Sequence, residues 1–286
     1  MSKRAFFLLV LATAACEPMV VDAVRKPPPA ETPVEMPPVD VPPPNPLASS
    51  LLHRYSFNGL GDVALDSIGA APGSIVNAAL TGTGSLTLNG GHNLEYVDLP
   101  DDLISGLNDA TFEAWLTWGG GNNWQRIFDF GNSNGGEDMP LIVPGTTSST
   151  YSGTTYIFLT ANAASDSNRG LDSGIRVAYS LDGVSKEEVC FGSEGLPKGV
   201  PTHVAVVVDS KAQKIALYQD GLLIDKCDLL GRLSDIDDVN NWLGRSNFTA
   251  DVDLAASYDE FRIYTAALTP EQLADSFKFG PDAKAE

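Results

Sequence analysis

The sequence has few basic residues. It contains 18 lysine and arginine residues against 37 aspartate and glutamate residues, which gives a formal net charge of −19. An acidic surface of this kind repels nucleic acid and anionic membranes, because phosphate contacts need a basic stripe. It favours solubility and supplies oxygen ligands for hard cations such as calcium.

Histidine is also scarce. His53, His92 and His203 are the three histidines, they are far apart in the chain, and no Cys-x-x-Cys pair is present. Zinc sites are built from clustered histidine and cysteine, so we do not expect one. Three scattered histidines also argue against a serine hydrolase, whose base must lie beside its nucleophile.

The cysteine count is low and odd. Cys16, Cys190 and Cys227 are the three cysteines, and the last two become an even pair if Cys16 is used for another purpose. Cys190 and Cys227 fall on predicted strands that flank a predicted hairpin. An oxidising compartment favours a disulfide between them, and the alternative is two buried thiols.

No hydrophobic run is long enough to span a bilayer, which needs ~20 residues. Lys3 and Arg4 precede a short apolar stretch over residues 5–15, which is typical of a secretory signal. The segment Thr13-Ala14-Ala15-Cys16 resembles the lipobox of bacterial lipoproteins, with Thr13 in place of the usual leucine. We therefore predict cleavage after residue 15, lipidation of Cys16 and anchoring to a bacterial membrane, at the outer membrane or cell surface. Ordinary cleavage near Ala15 is the alternative.

Proline is concentrated in one segment. Eleven of the 19 prolines lie between Pro18 and Pro46. This density predicts that residues 16–50 form an extended, disordered spacer, at ~3.1 Å per residue where it is stiff.

The remaining chain is predicted to be an all-β domain over residues 51–280, followed by a tail over 281–286. Short runs rich in Val, Ile, Phe, Tyr and Trp alternate with Gly, Asn and Asp, which indicates an antiparallel sandwich or barrel. The predicted strands cover residues 53–57, 95–99, 111–118, 126–130, 155–160, 175–180, 188–191, 203–209, 214–219, 222–226, 242–244 and 258–264.

Two local patterns are specific. Asp220-Gly221 between two apolar runs predicts a tight hairpin in which both residues have positive φ. Thr269, Pro270 and Gln272 form the pattern of a capping box, which predicts a helix over residues 270–277.

Four segments in order, residues 111–118, 124–131, 201–224 and 241–268, resemble the laminin G-like, concanavalin A-like jellyroll domains of many secreted bacterial proteins. The resemblance covers about residues 52–280. It implies two antiparallel sheets of six or seven strands, one concave and one convex. It also implies that carbohydrate or protein binds on the concave face or the rim loops, although this fold hosts many functions.

A binding function is favoured over catalysis. Some jellyroll proteins are glucanases, and retaining glycosidases need two carboxylates ~5–5.5 Å apart. Asp251 and Asp253 are the nearest match to alternating acids, but they lack the further acid of that pattern. We predict a surface-anchored carbohydrate-binding module that is not an enzyme, with protein adhesion or scaffolding as the alternative and a glycoside hydrolase as the weaker one.

Calcium is implied by the resemblance, because related domains hold one ion at the rim of the sandwich. The matching oxygens here belong to Asn58, Asp62 and Asp66 near the first strand and to Asp259 near the last. The alternative is that Asp62 and Asp66 bond to their own turns.

Aromatic side chains are the usual platform for sugars. Trp124 follows the glycine-rich loop 119–123 and is the predicted rim residue, together with Asn123, Arg126 and Tyr151. Burial beside Asp129 or Asp259 is the alternative for Arg126. Trp115 and Trp118 are predicted on opposite faces of one strand, with Trp115 in the core, and Trp242 is predicted to be structural.

Overall fold

The computed structural model describes residues 46–137, 150–168 and 170–282. The predicted signal sequence, the predicted lipidation site Cys16 and most of the proline-rich segment lie outside these residues. The described chain is nearly all β, and its two main sheets are antiparallel. The predicted two-sheet sandwich is therefore confirmed.

The first sheet has seven strands. Strand β17 (Asp253–Tyr264) lies next to one edge and pairs with β8 (Ala110–Trp118) on one side and with β1 (Leu51–Tyr55) and β6 (Leu86–Gly91) on the other. The order continues from β8 through β13 and β14 to β15 at the edge. The strands are β1 (Leu51–Tyr55), β6 (Leu86–Gly91), β8 (Ala110–Trp118), β13 (Pro201–Asp209), β14 (Lys214–Gln219), β15 (Leu222–Asp228) and β17 (Asp253–Tyr264).

The second sheet has eight strands in the order β12-β11-β10-β9-β16-β7-β4-β3. Strands β2 (Leu60–Gly61) and β5 (Leu80–Thr81) form a separate two-stranded ribbon. The eight strands are β3 (Val63–Ala64), β4 (Gly73–Val76), β7 (Tyr96–Leu99), β9 (Arg126–Ser133), β10 (Gly153–Ala163), β11 (Gly174–Ser180), β12 (Glu188–Phe191) and β16 (Asn240–Leu243).

The main core lies between the two sheets and follows from the two-residue period of the strands. Val204, Val206 and Val208 of β13 point into it, as their spacing predicts. Ala205 and Val207 point to the other side of the same sheet and belong to a second, smaller cluster. The seven-stranded sheet is therefore apolar on both faces and needs a cover on its outer face.

Aromatic rings fill the middle of the core. Phe112 packs against Phe128 and Phe130 with ring centroids 5.2 and 5.6 Å apart. Phe261 of β17 contacts both rings of β9 in edge-to-face geometry. These contacts join β8 and β17 of one sheet to β9 of the other, and so fix the position of β9.

Two short helices cover the outer face of the seven-stranded sheet. Helix α1 (Pro46–Ser50) and helix α2 (Pro270–Phe279) place Leu47 and Leu273 in the second cluster. The capping box of α2 is present, with the Thr269 hydroxyl accepting the N–H of Gln272, and the predicted helix continues two residues further than expected. No helix in the described part of the chain is long and apolar enough to cross a membrane.

The predicted hairpin joins β14 to β15. Asp220 has φ 50° and Gly221 has φ 75°, as the turn requires. Asp220 also accepts the backbone N–H of His203 through its carboxylate. The turn is therefore bound to the neighbouring strand β13.

The disulfide predicted from the compartment argument is also present. Cys190 lies on β12 and Cys227 on β15, and their Cα atoms are 5.2 Å apart. Because β12 and β15 are the end strands of different sheets, the bond closes one side of the sandwich.

Several features differ from the sequence prediction, and the short strands β2, β3 and β5 are among those that were not predicted. The extended spacer was expected to reach residue 50, but residues 46–50 form α1 because Leu47 is buried in the second cluster. Strands β4 and β6 were not predicted, since their runs contain glycine and asparagine. Trp118 lies in the main core, whereas Trp115 is buried on the outer face of β8.

Candidate binding site

A cavity of about 360 Å³ opens on the outer face of the eight-stranded sheet. It lies where strands β9, β10 and β11 end, and the loop over residues 165–168 and the segment after β16 form its rim. Its size falls in the range of small-ligand sites. Its lining includes Trp124, Arg126, Phe158, Arg176, Phe248 and Asp251.

Arg126 is the residue around which the floor of the cavity is built. Its guanidinium group lies 3.8 Å from the centre of the Phe158 ring. It also pairs with two carboxylates, at 3.3 Å from Asp129 and 2.8 Å from Asp251. The side chain is 2% exposed. The predicted burial of Arg126 beside Asp129 is therefore observed. Only the edge of its guanidinium group is left for the predicted contact with a ligand.

The two carboxylates beside Arg126 are themselves shielded from water. Burial raises the pKa of Asp129, and the nearby Arg126 and the hydrogen bonds from Asn247 oppose that rise only in part. Burial likewise raises the pKa of Asp251, against the effect of Arg126 and of the Ser246 hydroxyl. One cation thus compensates the buried Asp129 and the half-buried Asp251 in this cluster, so each partner depends on it.

Trp124 forms one wall of the cavity and is held in a fixed position. Its φ of 69° is uncommon for a residue with a side chain, and its N–H donates to the carbonyl of Asn162 at 2.8 Å. The guanidinium groups of Arg126 and Arg176 lie 5.6 and 5.0 Å from the ring centre. The indole is partly exposed, as a rim residue must be.

The other two predicted contact residues do not line this cavity. The Asn123 side chain is exposed and accepts a hydrogen bond from Asn162 at 2.7 Å. Tyr151 packs instead against the separate cluster of Tyr96 and Trp242 on the same outer face. Trp242 is buried there, with its indole N–H donating to Asp98 at 2.9 Å, which confirms its structural role.

Several lining residues were not singled out from the sequence, among them Phe158, Arg176 and Phe248. Phe158 and Arg176 lie on strands that were predicted, and the alternation of inward residues along β10 and β11 places both on the outer face. Counting outward aromatic and basic residues on neighbouring strands would therefore have found them. Phe248 comes from an irregular segment, for which no periodic signal exists.

The two acids beside Arg126 differ in their access to the cavity. Asp129 and Asp251 both contact Ser246 Oγ, at 3.4 and 3.0 Å, so the two groups are close. Only Asp251 lines the cavity, because Asp129 is fully buried and accepts two hydrogen bonds from Asn247. A glycosidase needs both groups in contact with the substrate.

A short match to a hydrolase motif lies at the end of β9. Residues 131–135 have the Gly-x-Ser-x-Gly spacing of a nucleophile elbow. Ser133 is the last residue of β9, and its hydroxyl oxygen accepts the N–H of Gly135 in the turn that follows. His53 and His203 bond to Asp66 and Glu113.

The residues predicted to hold calcium have other partners. The Asp66 carboxylate accepts the N–H groups of Arg54, Ile68, Gly69 and Ala71 as well as a bond from the His53 ring. Burial alone would raise its pKa, but these hydrogen bonds lower it. Asp66 therefore organises its own turn and does not fit a metal ligand.

The remaining members of that predicted set have different surroundings. Asn58 donates to Asp282 at 2.6 Å, and the carbonyl of Asp62 accepts the N–H of Ile75. Asp259 lies close enough to Asp282 that burial and this second acid raise its pKa. Within the described ranges, no three His, Cys, Asp or Glu side chains converge as a metal site.

Comparison with solved structures finds the same fold in other proteins. Domain 4 of AbnA, an extracellular GH43 arabinanase from Geobacillus stearothermophilus solved with arabinotriose, superposes with a TM-score of 0.53 at 19% identity, over 79% of this chain and 97% of that domain. The CBM40 of a Ruminococcus gnavus sialidase bound to α2,3-sialyllactose gives 0.50 at 17% identity, over 67% and 95%.

A sialidase from Trypanosoma rangeli superposes with a TM-score of 0.56 at 16% identity over 81% of this chain. The superposed part is 33% of the sialidase, so this chain spans about a third of that enzyme. No curated protein matches the chain by sequence. A sequence profile does match residues 89–274, which is more than half of the chain. The chain therefore belongs to the concanavalin A-like lectin/glucanases superfamily.

Proposed function

We propose that the domain is a carbohydrate-binding module and that the Trp124 cavity is its glycan site. The observation that carries the proposal is a partly exposed, rigidly held indole at the wall of a cavity that also presents charged hydrogen-bonding groups. A sugar ring offers an apolar C–H face and a rim of hydroxyl groups. The indole ring of Trp124 complements the C–H face. The hydroxyl groups are complemented by the charged side chains of Arg176, Glu187 and Asp251.

The backbone geometry around Trp124 favours binding without large rearrangement. Its N–H is bonded to Asn162, and Arg126 donates to its carbonyl oxygen at 2.9 Å. A side chain that is fixed before the ligand arrives loses little conformational entropy on binding. The fold neighbours support the same class of ligand, since domain 4 of AbnA and the CBM40 were solved with oligosaccharides.

The test is a glycan array probed with the full chain, in calcium and in EDTA. The panel includes arabinotriose, α2,3-sialyllactose and neutral and uronic oligosaccharides. We expect binding to a defined subset, and a loss of at least tenfold in affinity for Trp124→Ala. The control Phe279→Ala removes an aromatic ring that is 62% exposed on α2, away from the cavity. Equal affinity of both variants would contradict the assignment of the site.

We also propose that the module binds without hydrolysing. Asp166, Glu187 and Asp251 are the acids that line the cavity, and Asp129, the neighbour of Asp251, is buried behind it. Incubation of the full chain with each bound oligosaccharide should release no reducing ends over a day. Release that disappears in Asp251→Asn would favour a glycoside hydrolase instead.

Export and lipid anchoring at Cys16 complete the proposal. Support comes from the sequence, where a short apolar segment precedes Ala14-Ala15-Cys16. Mass spectrometry of the protein expressed in a bacterium should find an N-terminal diacylated cysteine. Cys16→Ala should move the protein from the membrane fraction to the soluble fraction, and an unchanged distribution would contradict lipidation.

A second candidate is adhesion to a protein. It is favoured by Leu60, Leu65 and Ile68, which are 77%, 67% and 53% exposed in one segment near the β2 ribbon. Exposed apolar patches mark protein contacts. If the array shows no glycan, chemical crosslinking on intact cells with the protein and its Leu60→Asp, Leu65→Asp variant would decide for this candidate.

A further inference from the structure

A second cavity, of about 160 Å³, lies on the opposite side of the sandwich from the Trp124 cavity. It is bounded by the outer face of β8 and β13 and by the end of α2. Its walls are mostly apolar and include Leu116, Pro201, Phe277 and Pro281. Two ring side chains, Trp115 and His203, also line it.

Trp115 and His203 each carry a buried polar atom that needs a partner. Trp115 Nε1 and His203 Nδ1 have no hydrogen-bond partner among the described residues. The two residues are 5% and 1% exposed, and their ring centres are 4.5 Å apart. Most buried polar atoms are paired, so two such atoms at one cavity indicate a group that is supplied from outside the chain.

The neighbours of His203 determine whether its unpaired Nδ1 is a hydrogen-bond donor or an acceptor. His203 Nε2 lies 3.1 Å from Glu113 Oε1. The other oxygen of Glu113 accepts the Ser276 hydroxyl at 3.0 Å and lies 4.0 Å from Arg262. A carboxylate placed beside a guanidinium group accepts hydrogen bonds, so Nε2 carries the proton. In the neutral ring Nδ1 then has a free lone pair and is an acceptor.

The cavity therefore presents one buried donor and one buried acceptor that lack partners in the described chain, beside apolar walls and the polar residues Thr202 and Asp259. The indole N–H of Trp115 can only donate, and Nδ1 of His203 accepts. A single hydroxyl group satisfies both atoms, because it accepts one hydrogen bond and donates another. An anion is disfavoured, since the carboxyl group of Asp259 also lines the cavity.

We propose that this cavity binds a small uncharged ring compound that bears one hydroxyl group, of the phenol class. Its volume is close to that of an engineered protein cavity of about 150 Å³ that holds benzene. The ring contacts Phe277 and Pro281, and the hydroxyl group bridges Trp115 and His203. The site does not depend on the glycan site, which lies on the other sheet.

The experiment is a titration of the ¹⁵N-labelled full chain with phenol, followed by NMR. The chain has four tryptophans, so four indole N–H signals are expected. The signal that is missing in Trp115→Phe belongs to Trp115. We expect phenol to shift it in a saturable way, and benzene to bind about tenfold more weakly because it lacks the hydroxyl group.

Two variants test whether the shift arises at this cavity. Trp124→Phe should leave the shift of the Trp115 signal unchanged, which separates this site from the glycan site. Phe277→Trp enlarges a wall residue that is 41% exposed and should abolish phenol binding while the melting temperature is kept. The proposal is overturned if phenol leaves the Trp115 signal unmoved, if phenol moves only the Trp124 signal, or if benzene binds as tightly as phenol.

Discussion

Cys190 and Cys227 join the end strands of the two sheets, with their Cα atoms 5.2 Å apart. Since 37 positions separate them in the chain, the bond closes a long loop in the unfolded state and so lowers the conformational entropy of that state. The chain-entropy account of such a loop gives about 4 kcal/mol of stabilisation.

We therefore expect reduction to lower the free energy of unfolding by about 4 kcal/mol. Urea unfolding with and without a reductant measures the change. The double variant Cys190→Ala, Cys227→Ala is the control, and its stability should not respond to the reductant. An unchanged midpoint of the native chain under reducing conditions would contradict the prediction.

Removal of Arg126 should be strongly destabilising. Arg126→Leu leaves the buried carboxylates of Asp129 and Asp251 without their cation, and such losses cost about 3–5 kcal/mol. Because burial already raises the pKa of Asp129, the loss should shrink as acid protonates that group. Thermal unfolding between pH 4 and pH 8 measures both effects. The double variant Arg126→Leu, Asp129→Asn should recover part of the stability at neutral pH.

Asp253 should make the stability depend on pH. Burial raises its pKa to about 6, although the N–H of Leu94 and the charge of Arg245 oppose the rise. A carboxyl group with a raised pKa in the folded state stabilises the protein below its unfolded pKa and loses that contribution as the pH rises through about 6.

Asp253→Asn should then be more stable than the native chain above pH 7, by about 3 kcal/mol at most, and equally stable near pH 4. Comparing the two unfolding curves across this pH range isolates the one group, since all other acids titrate in both proteins. A stability difference that stays constant with pH would be inconsistent with this assignment.

The cap of α2 should contribute measurably to stability. Thr269→Ala removes the hydroxyl that accepts the N–H of Gln272, which typically costs about 1 kcal/mol. Lys278→Ala, in the exposed last turn, is the control and should change stability much less. Urea unfolding of both variants measures the difference, and equal effects would show that the cap is not important here.

Local patterns predicted local structure well in this chain. The Asp220-Gly221 turn and the Thr269 cap depend on residues within four positions, and both are present. The position of β6 depends instead on pairing with β17 about 165 positions away, which no short pattern encodes. Its glycine and asparagine residues are typical of loops, so the strand was not predicted.

The binding site likewise combines residues that local patterns predicted with long-range partners that they did not. Trp124 and Arg126 lie within three positions of each other, and both were predicted as contact residues. The acid that pairs with Arg126 from afar is Asp251, 125 positions away, and not Asp259. Long-range partners of this kind follow from the sheet topology, which composition and spacing do not determine.

The position of Leu47 fixes which face of the domain carries its first helix. Helix α1 packs on the side that α2 also covers, and the Trp124 cavity opens on the reverse side. The helices and the cavity therefore occupy opposite outer faces of the sandwich, so the layer that closes the second apolar cluster leaves the cavity uncovered.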